Sequence, residues 1–154
     1  MEIRGTAHPA PPQSGRANRA DLTAAEISGT NISGAPLLDE HDANARVGTC
    51  IASWAGIDGS LRIAARVDDE QMATKVRNGT VRGLSLGTDM VLGENGDVLY
   101  RAQKELSVCE EGKRDGTWIS HINGRPVHAV ACASKRAGVP LKPHNQLCSF
   151  TCGK

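Results

Sequence analysis

The chain has 154 residues, 39% of them hydrophobic, and a formal net charge of +1. That length suffices for one domain around a single core, and the near-neutral charge excludes a strong field drawing the chain to nucleic acid or an anionic membrane. No apolar run approaches the roughly 18–20 residues of a membrane-spanning helix, and the opening MEIRGTAHPAPPQSGRANRA lacks the apolar stretch of a secretion signal, so a soluble chain without a membrane partner is expected.

MEIRGTA reads as a short first strand, and HPAPPQSGRANR as a loop because its prolines exclude regular structure. ADLTAAEISG has Thr23 and Glu26 at capping-box spacing and Gly29 as a stop, which predicts a short helix. GAPLLDEHD is a short apolar strand ending in a polar cluster that contains His41. RVGTCIASW and SLRIAARVD flank the turn AGIDG and predict a hairpin, with Leu61, Ile63, Ala65 and Val67 inward and Arg62 and Arg66 outward. DDEQMATKVRNG predicts a helix, with acidic residues in its first turn, Met72 and Val76 four apart and Asn-Gly at its end.

VRGLSLGTDM then begins a strand running to about Leu92, and GENGD turns it into VLYRAQKELSVCE. Val98, Tyr100, Ala102, Leu106 and Val108 share a face of that strand by alternation, with a twist expected at Lys104. TWISHING is read as the last strand, and residues 138–154 as a tail, leaving a domain over 1–137. Strands outnumber helices and adjacent ones are hairpin-linked. This predicts a mainly β, α+β fold: a small antiparallel barrel with a few flanking helices.

Positions two apart on a strand share a face. Leu84, Leu86 and Met90 therefore point to a core, and Ser85 points the other way between Gly83 and Gly87, which carry no side chains. The plain reading is a small polar residue facing water; the chemical one is a nucleophile standing clear for an incoming chain. A serine needs a base, usually imidazole. His8 lies in the proline-rich loop and His144 in the tail, while His121 and His128 follow weakly patterned sequence. His41 directly follows the apolar APLL, so a strand would hold its ring, and Asp39, Glu40 and Asp42 stand beside it.

The five cysteines are an odd number, which fits free thiols better than a disulfide framework. His128, Cys132, His144, Cys148 and Cys152 could ligate a metal, which keeps a small zinc-stabilised binding module as a rival. Their Cys-x3-Cys spacing departs from the usual pairs two apart.

The succession PLLDEH, VG, GSLRIAARV, DDEQMATKVRNG and GLSLG, within about Ile27 to Cys109, resembles the core of the viral capsid-maturation serine proteases. That superfamily joins herpesvirus assemblins and tailed-phage prohead proteases. The resemblance implies a herpesvirus-protease-like fold and a serine endopeptidase that needs no cofactor, with Ser85 as nucleophile and His41 as general base. By likeness to the phage members, KELSV makes Glu105 the residue that orients the histidine; the second histidine of the herpesvirus members would be His121.

The resemblance further implies that the substrates and partners are viral scaffold and capsid proteins, inside a procapsid in the host cytoplasm or nucleus. A homodimer is an assembly it allows. AVACASK resembles a small-residue cleavage sequence, pointing to self-release at Ala133–Ser134. CEEGKRDG departs from the Pro-Ala-Asn segment of phage members, and the paired arginines of herpesvirus members are not visible. Arg114 and Arg125 are loose counterparts, and the oxyanion site stays unassigned. A catalytically inactive capsid-assembly protein of the same fold is the alternative.

Overall fold

Strand β4 (Leu61–Val67) sets the frame, with Leu61, Ile63, Ala65 and Val67 each at 2% exposure or less, as its alternation requires. In the computed structural model, which describes residues 1–12 and 21–127, β4 pairs antiparallel with β3 (Arg46–Ala55) on one side and with β1 (Glu2–His8) on the other. The predicted hairpin is therefore formed. The remaining strands are β2 (Pro36–Asp39), β5 (Gly83–Leu92), β6 (Val98–Cys109), β7 (Ile119–Ile122) and β8 (Arg125–Pro126). They complete one sheet in the order β5-β6-β2-β3-β4-β1-β7-β8.

Two short helices follow from their termini. In α1 (Ala24–Gly29), the Thr23 hydroxyl accepts from the Glu26 amide and the Glu26 carboxylate accepts from the Thr23 amide, the capping box read from the sequence. In α2 (Glu70–Arg77), the Asp69 carboxylate accepts from the Met72 amide at 2.7 Å, a cap worth about 1 kcal/mol. Its Met72, Ala73 and Val76 are buried and join Ile3, Leu37, Ile63, Leu84, Leu106 and Val108 in one core.

The fold is mainly β, as expected, but the sheet is an open one and its ladder is not closed into a barrel. Among the described residues its β5 end approaches the start of β7 at an isolated bridge, Gly83 to Trp118, supported by Leu84 N donating to Thr117 O and Ile119 N to Arg82 O. One pairing is parallel, β2 with β6, where antiparallel strands were expected. It arises because β2 is placed beside a strand some seventy residues later, not beside its hairpin neighbour alone.

The face assignments need two corrections. Register along β5 and β6 shifts between Gly87 and Thr88, so Lys104 faces no β5 partner. A bulge of this kind reverses alternation: Tyr100 and Ala102 fall on the opposite face from Leu106, and Tyr100 is exposed. Met90 keeps the face of Leu84 and Leu86 yet is also exposed, because β2 accompanies β6 only over Leu106–Val108 and the rest of the hairpin extends past the core. The tail over 138–154 lies outside the described residues.

Candidate active site

Three segments far apart in sequence meet at one face. On β5, Leu84 and Leu86 are buried in the core, which turns Ser85 to the other side. On β6, Ser107 pairs with Ser85 and Glu105 with Gly87, so all four residues share that face. Beside β6 runs β2, with Leu38 paired to Ser107 and Asp39 to Val108. The chain leaves β2 through Glu40 and His41, both at positive φ (47° and 64°). Non-glycine residues adopt such backbone at a cost of about 1–3 kcal/mol and need the surroundings to hold them there.

Those surroundings are specific. The Glu40 amide donates to Val108 O at 3.1 Å, and the His41 amide donates to the Ser107 hydroxyl at 3.1 Å. Asp39 N to Ala45 O closes the turn at 2.9 Å. His41 sits in the turn just after β2, following the apolar strand as the sequence suggested, and hydrogen bonds from the turn to β6 hold it there.

From this turn the imidazole reaches both partners. Nε2 lies 2.9 Å from Ser85 Oγ, and Nδ1 bonds to Glu105 Oε1. A carboxylate only accepts hydrogen bonds, so Nδ1 carries the proton and donates to it, leaving the Nε2 lone pair to accept the Ser85 hydroxyl. Glu105, and none of the neighbours Asp39, Glu40 and Asp42, is the carboxylate bonded to the ring. This is a Ser–His–Glu hydrogen-bond chain in the order that activates a hydroxyl nucleophile.

The clearing expected around Ser85 is not empty. A Cβ on Gly87 would overlap the Glu105 carboxylate, and one on Gly83 would overlap the backbone of Glu111 and Gly112. Both glycines serve close approach, with protein groups of the same chain filling the space, and Ser85 is only 6% exposed.

The other described histidines, His8 and His121, lie elsewhere. His8, expected in a loop, ends β1 and is buried at 1% exposure. Its Nδ1 donates to Pro9 O at 2.7 Å, and its Nε2 accepts from Leu22 N at 3.1 Å. Burial pushes its pKa below the ordinary 6.5, and the bond to Pro9 opposes that only in part. His121 lies on β7 with its Nδ1 on the Ser120 hydroxyl, and it does not join the Ser85–His41 pair. Arg114 pairs with Asp21 at 3.1 Å, and Arg125 is exposed on β8. Burial raises the thiols of Cys50 and Cys109 to about 11 each, which removes them as nucleophiles near neutral pH.

Among the described residues no group of three or more His, Cys, Asp or Glu could hold a metal ion. His128, Cys132, His144, Cys148 and Cys152, together with Ala133 and Ser134, lie outside the described residues. The sequence did not single out Ser107 as a site residue; its signal was its place two residues after Glu105 on the same alternating face.

No family model matches the chain, and no curated protein matches it. Solved structures do. The protease of Kaposi's sarcoma-associated herpesvirus, in complex with a hexapeptide phosphonate inhibitor, superposes with a TM-score of 0.57 at 12% identity, over 78% of this chain and 64% of that one. The match thus spans less than two thirds of that protease. The same enzyme in complex with an allosteric inhibitor gives 0.51 at 13% identity over 77% of this chain and 75% of its own. In complex with a dimer disruptor it gives 0.51 at 12% identity, over 77% and 74%. The chain therefore has a herpesvirus-protease-like fold.

Proposed function

We propose that the chain is a serine endopeptidase of the capsid-maturation type. The observation that carries this reading is the continuous chain from Ser85 Oγ through His41 to the Glu105 carboxylate. His41 Nε2 takes the Ser85 proton as Oγ attacks a peptide carbonyl, and the carbonyl electrons move to the oxygen. Glu105 holds the ring's tautomer and stabilises the imidazolium. His41 then returns the proton to the leaving amine, and the C–N bond breaks. A water, deprotonated by the same nitrogen, hydrolyses the acyl-enzyme and restores Ser85.

Strand β5 ends the sheet, and beyond Leu84 its outer edge has no strand partner among the described residues. An extended peptide adding itself there would bring its backbone beside Ser85. The family resemblance makes the substrate a scaffold or capsid protein within a procapsid, and the chain itself at Ala133–Ser134. A homodimer is the assembly in keeping with it.

Intact-mass spectrometry after fluorophosphonate treatment tests the reading on wild type, Ser85→Ala and His41→Ala. One adduct on wild type, absent from both variants, is the expected result. No adduct, even at high protein concentration in a salting-out buffer, would support the inactive assembly protein, a reading that the low exposure of Ser85 favours. Self-release is read from the same spectra, as a shortened wild type beside an intact Ser85→Ala chain.

A further inference from the structure

The outer face of the sheet carries a second arrangement that shares no residue with Ser85, His41 and Glu105. Register aligns Trp54, Arg62 and Thr6 in one row across β3, β4 and β1. The next row on the same face is Ala52, Ala64, Arg4 and His121. Beside these rows lies a groove of about 290 Å³ lined by Arg4, Trp54, Arg62, Ser120, His121 and Gly124. That is at the lower end of clefts that hold small ligands, about 300 Å³.

The charges in the groove are unbalanced. Arg4 is paired with Glu2 at 2.7 Å. Arg62 gives Nη1 to the hydroxyl of Thr6 at 2.7 Å and has no carboxylate ion pair among the described residues. Asp58, a carboxylate within electrostatic reach of Arg62, is bonded through Oδ1 to the amide and hydroxyl of Ser60. No carboxylate lines the groove. Its remaining guanidinium donors are thus a fork without an anion, and such a fork matches phosphate. Trp54, on the same row, lines the groove and is 42% exposed, so part of its indole is open for contact with a flat ring.

We propose that this groove binds a nucleoside phosphate, with the phosphate on Arg62 and the base on Trp54. A phosphate alone would satisfy the arginine and leave the indole uncovered; a bare nucleoside would do the reverse. Base stacking on an aromatic side chain tolerates any base, so the phosphate and the ring together define the ligand class.

The test titrates the full chain with ADP, inorganic phosphate and adenosine, followed by calorimetry and tryptophan fluorescence. ADP is expected to saturate and quench, binding at least tenfold more tightly than phosphate or adenosine. Arg62→Gln is expected to weaken ADP at least tenfold. Trp54→Leu, at a half-exposed position, is expected to abolish the quench and reduce ADP to the affinity of phosphate. Circular dichroism establishes that each variant is folded, and Trp54→Leu serves if Arg62→Gln is not. Absence of ADP saturation below about 1 mM, ADP no tighter than phosphate, or affinity unchanged in either folded variant would overturn the proposal.

Discussion

Gly87 and Glu105 face each other across β5 and β6, and the Glu105 carboxylate occupies the position where any other side chain at 87 would begin. The glycine therefore acts on Ser85 indirectly, by leaving the carboxylate in place under the imidazole.

Gly87→Ala is expected to push Glu105 away from His41 Nδ1. Loss of the orienting acid in a serine triad lowers rates by up to about 10⁴-fold, so fluorophosphonate labelling should slow by about 10²- to 10⁴-fold. The inserted methyl should also cost about 1–3 kcal/mol of stability. Labelling kinetics and thermal unfolding on the same preparation check both; an unchanged labelling rate would remove Glu105 from the mechanism.

Ser107→Ala removes the acceptor of the His41 amide from a fully buried site. Leaving a fully buried amide unpaired costs about 1–3 kcal/mol; the His41 amide is half-buried, so the cost is at the lower end, and it falls on the left-handed turn that aims the imidazole. Slower labelling is expected, and in combination with Glu105→Gln the losses should not add, since both act through the same ring. Additive effects would make Ser107 a stability residue only.

His8 gives the fold an acid sensitivity of its own. Burial lowers its pKa below 6.5, with Asp21, Arg101 and Arg114 as the charged groups around it. The folded chain then holds it neutral while the unfolded chain protonates. Its contribution is complete above about pH 6.5 and is lost as pH falls toward the lowered folded value. The Tm advantage of wild type over His8→Asn should shrink as pH drops below 6.5; a constant difference would show that His8 does not titrate with unfolding.

Cys50 and Cys109, raised to about 11 by burial, hold roughly 0.1% thiolate at pH 8 by the thiolate rule. Peptides carrying them should stay unalkylated by iodoacetamide in the folded protein and react fully in guanidinium. Alkylation under native conditions would mean that their strands open readily.

Much of the framework was legible because it is local. β4 shows strict alternation, α1 and α2 carry their caps, and GENGD marks its hairpin. His41, Ser85 and Glu105 were named from the chain, the last through resemblance. Alternation marked Lys104 as the place of an irregularity, but it could not show that this is a bulge, which reverses the faces of Tyr100 and Ala102. Nor does any local signal announce that β2 lies parallel to β6, or that His8 ends a strand beneath Leu22. The misreading of Ser85's surroundings has the same source: glycines mark a close approach, and only the three-dimensional pairing tells which group approaches.

The parallel contact between β2 and β6 also bears on when the site comes into being. His41 and Glu105 are separated by 64 residues, and His41 and Ser85 by 44. Contacts of such span must overcome loop-closure entropy before they return any energy, and they form late. A nascent chain ending before β6 has neither Glu105 nor Ser107, and a chain with the hairpin but without docked β2 has no aligned imidazole. If Ser85 is the nucleophile proposed above, it is thus inert until β6 is made and β2 has docked, and the order of folding itself would delay its action.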